Sequence, residues 1–171
     1  LLSAGVATHG ALLRTDSKFS PHKPVYYRDG LSSTVAVLMW DAGGLTMRVN
    51  GKPEASLGLP DRVNQTVLGL LPLLYCKEPK RVGIIGLGSG LTLTATASCP
   101  TVLRAECAEL EPCVIEAERY FAPYNQQILK DPRVKARYAD GRTMIKGDAE
   151  KFDALVSVPS NLWVAGIVNL Y

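Results

Sequence analysis

Histidine is scarce in this chain, with only His9 and His22, both in stretches rich in glycine and proline and read as solvent-facing. The four cysteines, Cys76, Cys99, Cys107 and Cys113, form no Cys-x-x-Cys pair and have no histidine nearby, so neither a zinc knuckle nor a redox motif is supported. They read as reduced structural thiols of a cytosolic-type compartment, and no metal is expected. No run of five or more like charges is present, and the net charge of +3 is scattered, which argues against a nucleic-acid-binding arm. No apolar stretch approaches the roughly 18 to 20 residues that a membrane span needs, and Leu1-Leu2-Ser3-Ala4-Gly5 lacks the basic start of a signal peptide. An initiating methionine is also missing. Tyr171 stands just after the apolar stretch Trp163 to Val168, so the chain reads as a piece of something longer.

With 171 residues, 47% of them hydrophobic and 20% charged, the chain can bury a true core. Residues 1 to 60 carry short β-prone runs, Val25-Tyr26-Tyr27, Thr34 to Met39 and Leu45 to Val49. Turn residues separate them at Arg28-Asp29-Gly30, Ala42-Gly43-Gly44 and Asn50-Gly51. A small antiparallel β-hairpin unit is expected there. From Asp61 the period changes: Val63, Val67, Leu68, Leu70, Leu71 and Leu74 recur at helical spacing, with Pro72 expected to kink or end the helix.

Residues 61–171 then alternate strand and helix. Strands are expected at 82–85, 102–108, 134–138 and 152–157, and helices at 91–98, 112–120 and 143–148. That order argues for a Rossmann-like α/β domain with a parallel sheet covered on both faces. Asp153, at a strand start, reads as structural.

The chemistry is expected where the first of these strands runs into Gly86-Leu87-Gly88-Ser89-Gly90 and then into a helix. Glycines let the backbone turn sharply and approach a ligand, and a helix start offers free N–H groups. About twenty residues on, at the end of the next strand, stands Glu109, where this kind of fold places an acid against ribose hydroxyls. After the third strand come Asp140 and Gly141, on the ligand edge and within reach of an adenine amino group. Each of these also has a plain reading, as a tight turn, a solvated loop carboxylate or an Asp-Gly turn. The G-x-G-x-G spacing favours a single-nucleoside co-substrate of the S-adenosylmethionine kind over a dinucleotide.

Together these elements resemble the polyamine aminopropyltransferases, in particular the spermidine synthase-like domains fused to membrane transporter-like segments. The resemblance is carried by Tyr26 to Leu31 with Thr34 to Val37, Val49 to Lys52 with Ala55-Ser56, Leu71 to Leu74, and Arg81 to Gly90. Further along it is carried by Glu109 to Pro112, Arg119 to Asn125, Asp131 to Val134, Ala139 to Arg142, and Pro159 to Asn161 with Trp163 to Gly166. It implies an N-terminal β unit on a seven-stranded methyltransferase-type sheet, of which this chain lacks the last strands. It implies decarboxylated S-adenosylmethionine, or S-adenosylmethionine itself, held by Gly86, Gly88, Ser89, Gly90, Glu109, Asp140 and Gly141. Glu54 falls where the family usually has a glutamine that contacts the co-substrate. A polyamine or another amine is the implied acceptor. A homodimer, a fused membrane segment and a place on the cytoplasmic side of a membrane remain open.

Five positions depart from the family pattern. The family's proton-accepting acid corresponds to Val158 and its second acid to Asn161. Its loop acid corresponds to Ser89, its helix tyrosine to Asn64 and its histidine before Leu-Pro to Leu70. An amine with a pKa near ~10 must lose a proton before it attacks, so these losses argue against aminopropyl transfer unless Glu54 or Asp61 substitutes. Asp61, beside Pro60 at a helix start, also reads as an N-cap. Three readings stand: aminopropyl transfer through a replacement acid, methyl transfer from S-adenosylmethionine, and a non-catalytic nucleoside-binding module of a membrane-fused protein.

Overall fold

The computed structural model describes residues 23–40, 43–147 and 150–158. Expectations that fall on residues 1–22, on Ala42 and on 159–171, including both histidines, Asn161 and Trp163, lie outside the described residues.

Residues 23–56 form an antiparallel sheet in the order β1-β2-β3-β4, with β1 at Lys23–Asp29, β2 at Thr34–Met39, β3 at Leu45–Val49 and β4 at Lys52–Ser56. Asn50 (φ 49°) and Gly51 (φ 81°) make the two-residue turn between β3 and β4, as the Asn-Gly pair predicts. Two expectations need correction. Arg28 and Asp29 complete β1, and the turn begins at Gly30, whose N–H donates to the Ser33 carbonyl at 2.8 Å. Strand β4 has no counterpart in the sequence reading. It contains Pro53, which an edge strand tolerates because no neighbour needs its N–H, and the ladder slips there so that Glu54 is an extra, bulged residue.

Helix α1 spans Leu59–Leu74, starting two residues before the expected Asp61. Gly58 is its N-cap, so Asp61 is not. The Asp61 carboxylate instead accepts the Ser56 N–H and lies in the first helical turn, where negative charge complements the helix dipole. Pro72 sits inside the last turn without ending the helix at Leu71. The expected apolar face is the larger correction: Val63, Val67, Leu70, Leu71 and Leu74 stand exposed, while Gln65, Gly69 and Leu73 are buried. Gly69 explains the choice. A Cβ there would lie 2.5 Å from the Thr92 carbonyl oxygen, so only glycine allows α1 to press against the next helix, where Thr96 Oγ1 donates to the Gly69 carbonyl at 3.1 Å.

The second sheet is parallel throughout, in the order β7-β6-β5-β8, with β5 at Arg81–Ile85, β6 at Arg104–Glu109, β7 at Val134–Tyr138 and β8 at Ala154–Ser157. Helices α2 (Leu91–Ala97), α3 (Pro112–Ala117, continued by a 3₁₀ turn at Glu118–Tyr120) and α4 (Gly141–Gly147) connect the strands. This is the Rossmann-like arrangement the alternating pattern predicts. Strand order reverses between β5 and β8, which opens a crevice beyond their carboxyl ends. Two of these strands start later than expected: Val102 and Leu103 precede β6, and Phe152 and Asp153 precede β8. Asp153 does serve structure, its carboxylate accepting the N–H groups of Lys80 and Arg81, both at 2.8 Å.

Val82, Ile84, Leu93, Ala105, Cys107, Phe121 and Val156 fill the core between sheet and helices. Charged groups are buried beside it, Glu106 and Arg81 among them. Glu106 accepts from Arg81 Nε at 2.8 Å and also pairs with Arg137, which offsets the cost of burying a carboxylate. All four cysteines are free thiols, and burial pushes the Cys107 thiol well up. The two sheets join where Tyr26 of β1 donates to the Cys113 carbonyl and to Glu116, each at 3.2 Å, and where Arg28 pairs with Glu116.

Candidate functional site

A cleft of about 350 Å³ opens at the carboxyl ends of β5, β6 and β7. Ile85, Gly86, Glu109, Leu110, Asp140, Gly141 and Val158 line it, so Gly86, Glu109, Asp140, Gly141 and Val158 of the residues singled out from the sequence meet in one place. The glycine loop turns there through three left-handed residues, Gly86 (φ 91°), Gly88 (φ 52°) and Gly90 (φ 76°), which a side-chain-bearing residue rarely adopts. Gly86 N–H continues the sheet by donating to the Ala108 carbonyl, and Gly90 N–H closes a turn onto the Leu87 carbonyl, both at 2.9 Å. Among the described residues the N–H groups of Gly88 and Ser89 have no acceptor.

Glu109, the last residue of β6, is nine-tenths buried. One carboxylate oxygen accepts the Leu87 N–H and the other the Glu111 N–H, each at 2.9 Å. Burial pushes this carboxyl up from its ordinary range, and the N–H groups of Leu87, Glu111 and Leu110 only partly oppose it. Two fixed oxygens with lone pairs left over suit a vicinal pair of hydroxyl donors. Asp140 caps α4 with one oxygen, accepting Thr143 N–H at 3.0 Å and its hydroxyl at 3.3 Å. Its other oxygen has no donor among the described residues. Gly141 lets the helix start press on β5, since a Cβ there would meet Ile85 at 2.9 Å.

Five expected site residues are not part of the cleft lining: Gly88, Ser89 and Gly90 of the loop, Asp61 and Glu54. The Ser89 side chain is fully buried and its hydroxyl is bonded to Gln65 Oε1 at 2.5 Å, so only its backbone faces a ligand. Asp61 is engaged by Ser56 at the junction of β4 and α1. Glu54, at the β4 bulge, adjoins Ala55, whose Cβ is the nearest neighbour to Gly88. Its carboxyl is half-buried without a hydrogen-bond partner among the described residues, and burial pushes it above its ordinary range although Lys52 pulls the other way. Val158 does face the cleft, an apolar side chain where the resemblance expects an acid.

Two supports of the loop escaped the sequence reading. Gln65 lies on the buried face of α1, and its Nε2 has no partner among the described residues. Asn125, fully buried, donates from Nδ2 to the Ser89 carbonyl at 2.8 Å and to Glu118 Oε1 at 2.5 Å, and its Oδ1 accepts Ile128 N–H at 3.4 Å. A Cβ on Gly90 would meet that same Nδ2 at 2.7 Å. Gln65, flanked by Asn64 and Thr66, carried no local signal, and Asn125 stood only within the stretch Arg119 to Asn125 that carries the resemblance.

Comparison with known proteins gives the family and supports the fold. Residues 62–164 match the family model described as the spermine/spermidine synthase domain. The chain is 37% identical over 87 residues to putrescine N-methyltransferase 2 of Nicotiana tabacum, which covers 50% of this chain and 25% of that protein. It is 30% identical over 114 residues to the polyamine aminopropyltransferase of Saccharolobus solfataricus, covering 66% of this chain and 38% of that one. A spermidine synthase solved in complex with the transition state analogue AdoDATO superimposes with a TM-score of 0.75 at 23% identity, covering 85% of this chain and 49% of that structure. The spermidine synthase of Thermotoga maritima gives a TM-score of 0.72 at 23% identity, covering 80% of this chain and 48% of that one. At that identity the structures speak for the fold, and the chain spans about half their length.

Proposed function

The chain belongs to the spermine/spermidine synthase family, and on that premise we propose that its cleft binds the adenosyl part of a sulfonium nucleoside, S-adenosylmethionine or its decarboxylated form, without transferring an aminopropyl group. One observation carries the reading: the buried Glu109 carboxylate, held by two backbone N–H groups, stands next to a glycine loop whose Gly88 and Ser89 N–H groups are unused. Ribose hydroxyls donate to Glu109. The free oxygen of Asp140 accepts from the adenine amino group, and Ile85, Leu110 and Val158 supply apolar walls for the base.

Bound there, the sulfonium supplies an electrophilic carbon to an amine nitrogen. Among the described residues no acid stands at the position the resemblance gives to the proton acceptor, since Val158 offers only methyl groups where a carboxylate would take the proton and attract the amine. Glu54 is the one half-buried carboxylate near the loop with no partner of its own among the described residues, and burial makes it a better proton acceptor than an ordinary glutamate. A second reading, methyl transfer from S-adenosylmethionine to a polyamine with Glu54 receiving the proton, is favoured by the similarity to a putrescine N-methyltransferase.

Calorimetric titration of the full-length protein with decarboxylated S-adenosylmethionine, S-adenosylmethionine and methylthioadenosine tests the binding claim, followed by product analysis with putrescine. Binding of these nucleosides with no spermidine formed is the expected result. Spermidine formation would overturn the loss of aminopropyl transfer, N-methylputrescine would establish the second reading, and absence of any binding would end the nucleoside reading.

A further inference from the structure

Glu111 lies outside the cleft lining, yet it is buried and makes more hydrogen bonds than any acid in the cleft. Its Oε2 accepts from Ser32 N–H at 3.1 Å, Ser32 Oγ at 3.0 Å, Ser33 N–H at 3.2 Å and Ser33 Oγ at 3.1 Å, all from the turn between β1 and β2. Its Oε1 caps α3 by accepting Cys113 N–H at 3.4 Å. Burial alone would raise this carboxyl, but the Ser32, Cys113 and Ser33 donors outweigh it and hold the group below its ordinary range. Gly30 makes the approach possible, since a Cβ at that position would overlap the Glu111 carboxylate.

The backbone of the same residue faces the other way. Glu111 N–H donates to Glu109 Oε1, and Glu109 Oε2 in turn accepts Leu87 N–H of the glycine loop. A continuous chain of contacts therefore runs from Ser32 and Ser33 in the β1–β2 turn, through Glu111, to Glu109 at the end of β6 and Leu87 in the glycine loop. Leu110, between the two acids, lines the cleft, so this segment has both ends fixed.

We propose that Glu111 is a positioning residue, which latches the β1–β2 turn to the ribose-facing acid Glu109 and so lets the antiparallel sheet set the nucleoside affinity of the cleft. The inference rests on the nucleoside reading of the cleft for its effect on affinity, while the coupling itself can be read without ligand. It predicts that serines on the opposite sheet, which do not line the cleft, control binding.

The test compares the full-length parent with Glu111→Gln, the paired change Ser32→Ala with Ser33→Ala, and all three together. Thermal unfolding, methylthioadenosine titration and amide hydrogen exchange at Leu87 and Glu111 are measured on each. The serine pair lies on a turn where Ser32 is exposed, so that variant keeps its fold even if Glu111→Gln does not. Losing the charged hydrogen bonds is expected to weaken methylthioadenosine about tenfold in the serine pair and in Glu111→Gln. The combined variant is then no weaker than Glu111→Gln alone, because the substitutions remove one shared interaction. Faster exchange at the Leu87 amide in the serine pair accompanies the loss. A lowered melting temperature with unchanged affinity and unchanged Leu87 exchange would overturn the latch. If the parent binds no nucleoside, the cleft reading fails, and Leu87 exchange in the serine pair still decides: acceleration upholds the latch and no change rejects it.

Discussion

Replacing Asn125 by alanine cuts the side chain that ties the glycine loop to the segment after α3. The side chain is fully buried, so water does not replace what it loses. Two well-formed bonds go, from Nδ2 to the Ser89 carbonyl at 2.8 Å and to the Glu118 carboxyl at 2.5 Å, while the 3.4 Å bond from Ile128 N–H is marginal. A neutral buried bond is worth about 1 kcal/mol and one to a charged group about 2 kcal/mol, and orphaning Glu118 adds to this, so the expected loss is about 3 to 4 kcal/mol. Urea denaturation measures it as a lowered midpoint at unchanged slope. Burial raises the Glu118 carboxyl, with the Asn125 donor opposing it in part. A carboxyl whose folded pKa exceeds its unfolded one stabilises the fold most when protonated, and that contribution is lost as pH rises from the ordinary glutamate range through the raised folded value. The Asn125 donor matters most for the ionised form, so acidification through that window narrows the gap between Asn125→Ala and the parent. A loss below about 1 kcal/mol at neutral pH, or a gap that widens on acidification, would refute the assignment of Asn125 as the buried support of the loop.

Gly69→Ala should cost about 1 to 3 kcal/mol in the same assay, because the new methyl lies against the Thr92 carbonyl and Ala95 and forces α1 off α2. Glu106→Ala takes from Arg81 and Arg137 the carboxylate they share, while Arg81 keeps the Glu150 carbonyl and the Phe152 ring, and the expected cost is about 3 kcal/mol. Methylthioadenosine affinity should fall as pH drops from neutral, beginning above the ordinary glutamate range, because burial raises the Glu109 carboxyl that must stay ionised to accept both ribose hydroxyls. Calorimetry at a series of pH values checks this, and a flat profile down to the ordinary range would contradict it.

The parallel half of the fold was legible because its signals are local. A continuous apolar strand, three glycines, a helix and an acid at the next strand's end follow one another in about twenty-five residues, and each constrains the next. Glu109, Asp140 and Gly141 could be placed on the cleft for the same reason, since strand ends in an open parallel sheet share one edge. What escaped depends on contacts between distant segments. Val63, Val67 and Leu71 have helical spacing, yet the face that packs is chosen by Gly69, whose lack of a side chain lets α2 come close. Strand β4 was hidden by Pro53 and by the bulge at Glu54, which break the period-two pattern. Nothing local reveals that Gln65 holds the Ser89 hydroxyl, and the Asn125–Glu118 pair meets the loop across 36 residues of sequence.

Nucleoside binding through Glu109 is tested by calorimetric titration of methylthioadenosine into the full-length protein and its Glu109→Gln variant, side by side at neutral pH. One-to-one binding by the parent is expected, with an affinity about tenfold or more lower in the variant, which loses the carboxylate oxygen proposed to accept from the ribose. Binding by the parent that Glu109→Gln leaves unchanged, or no binding by the parent at all, would contradict it.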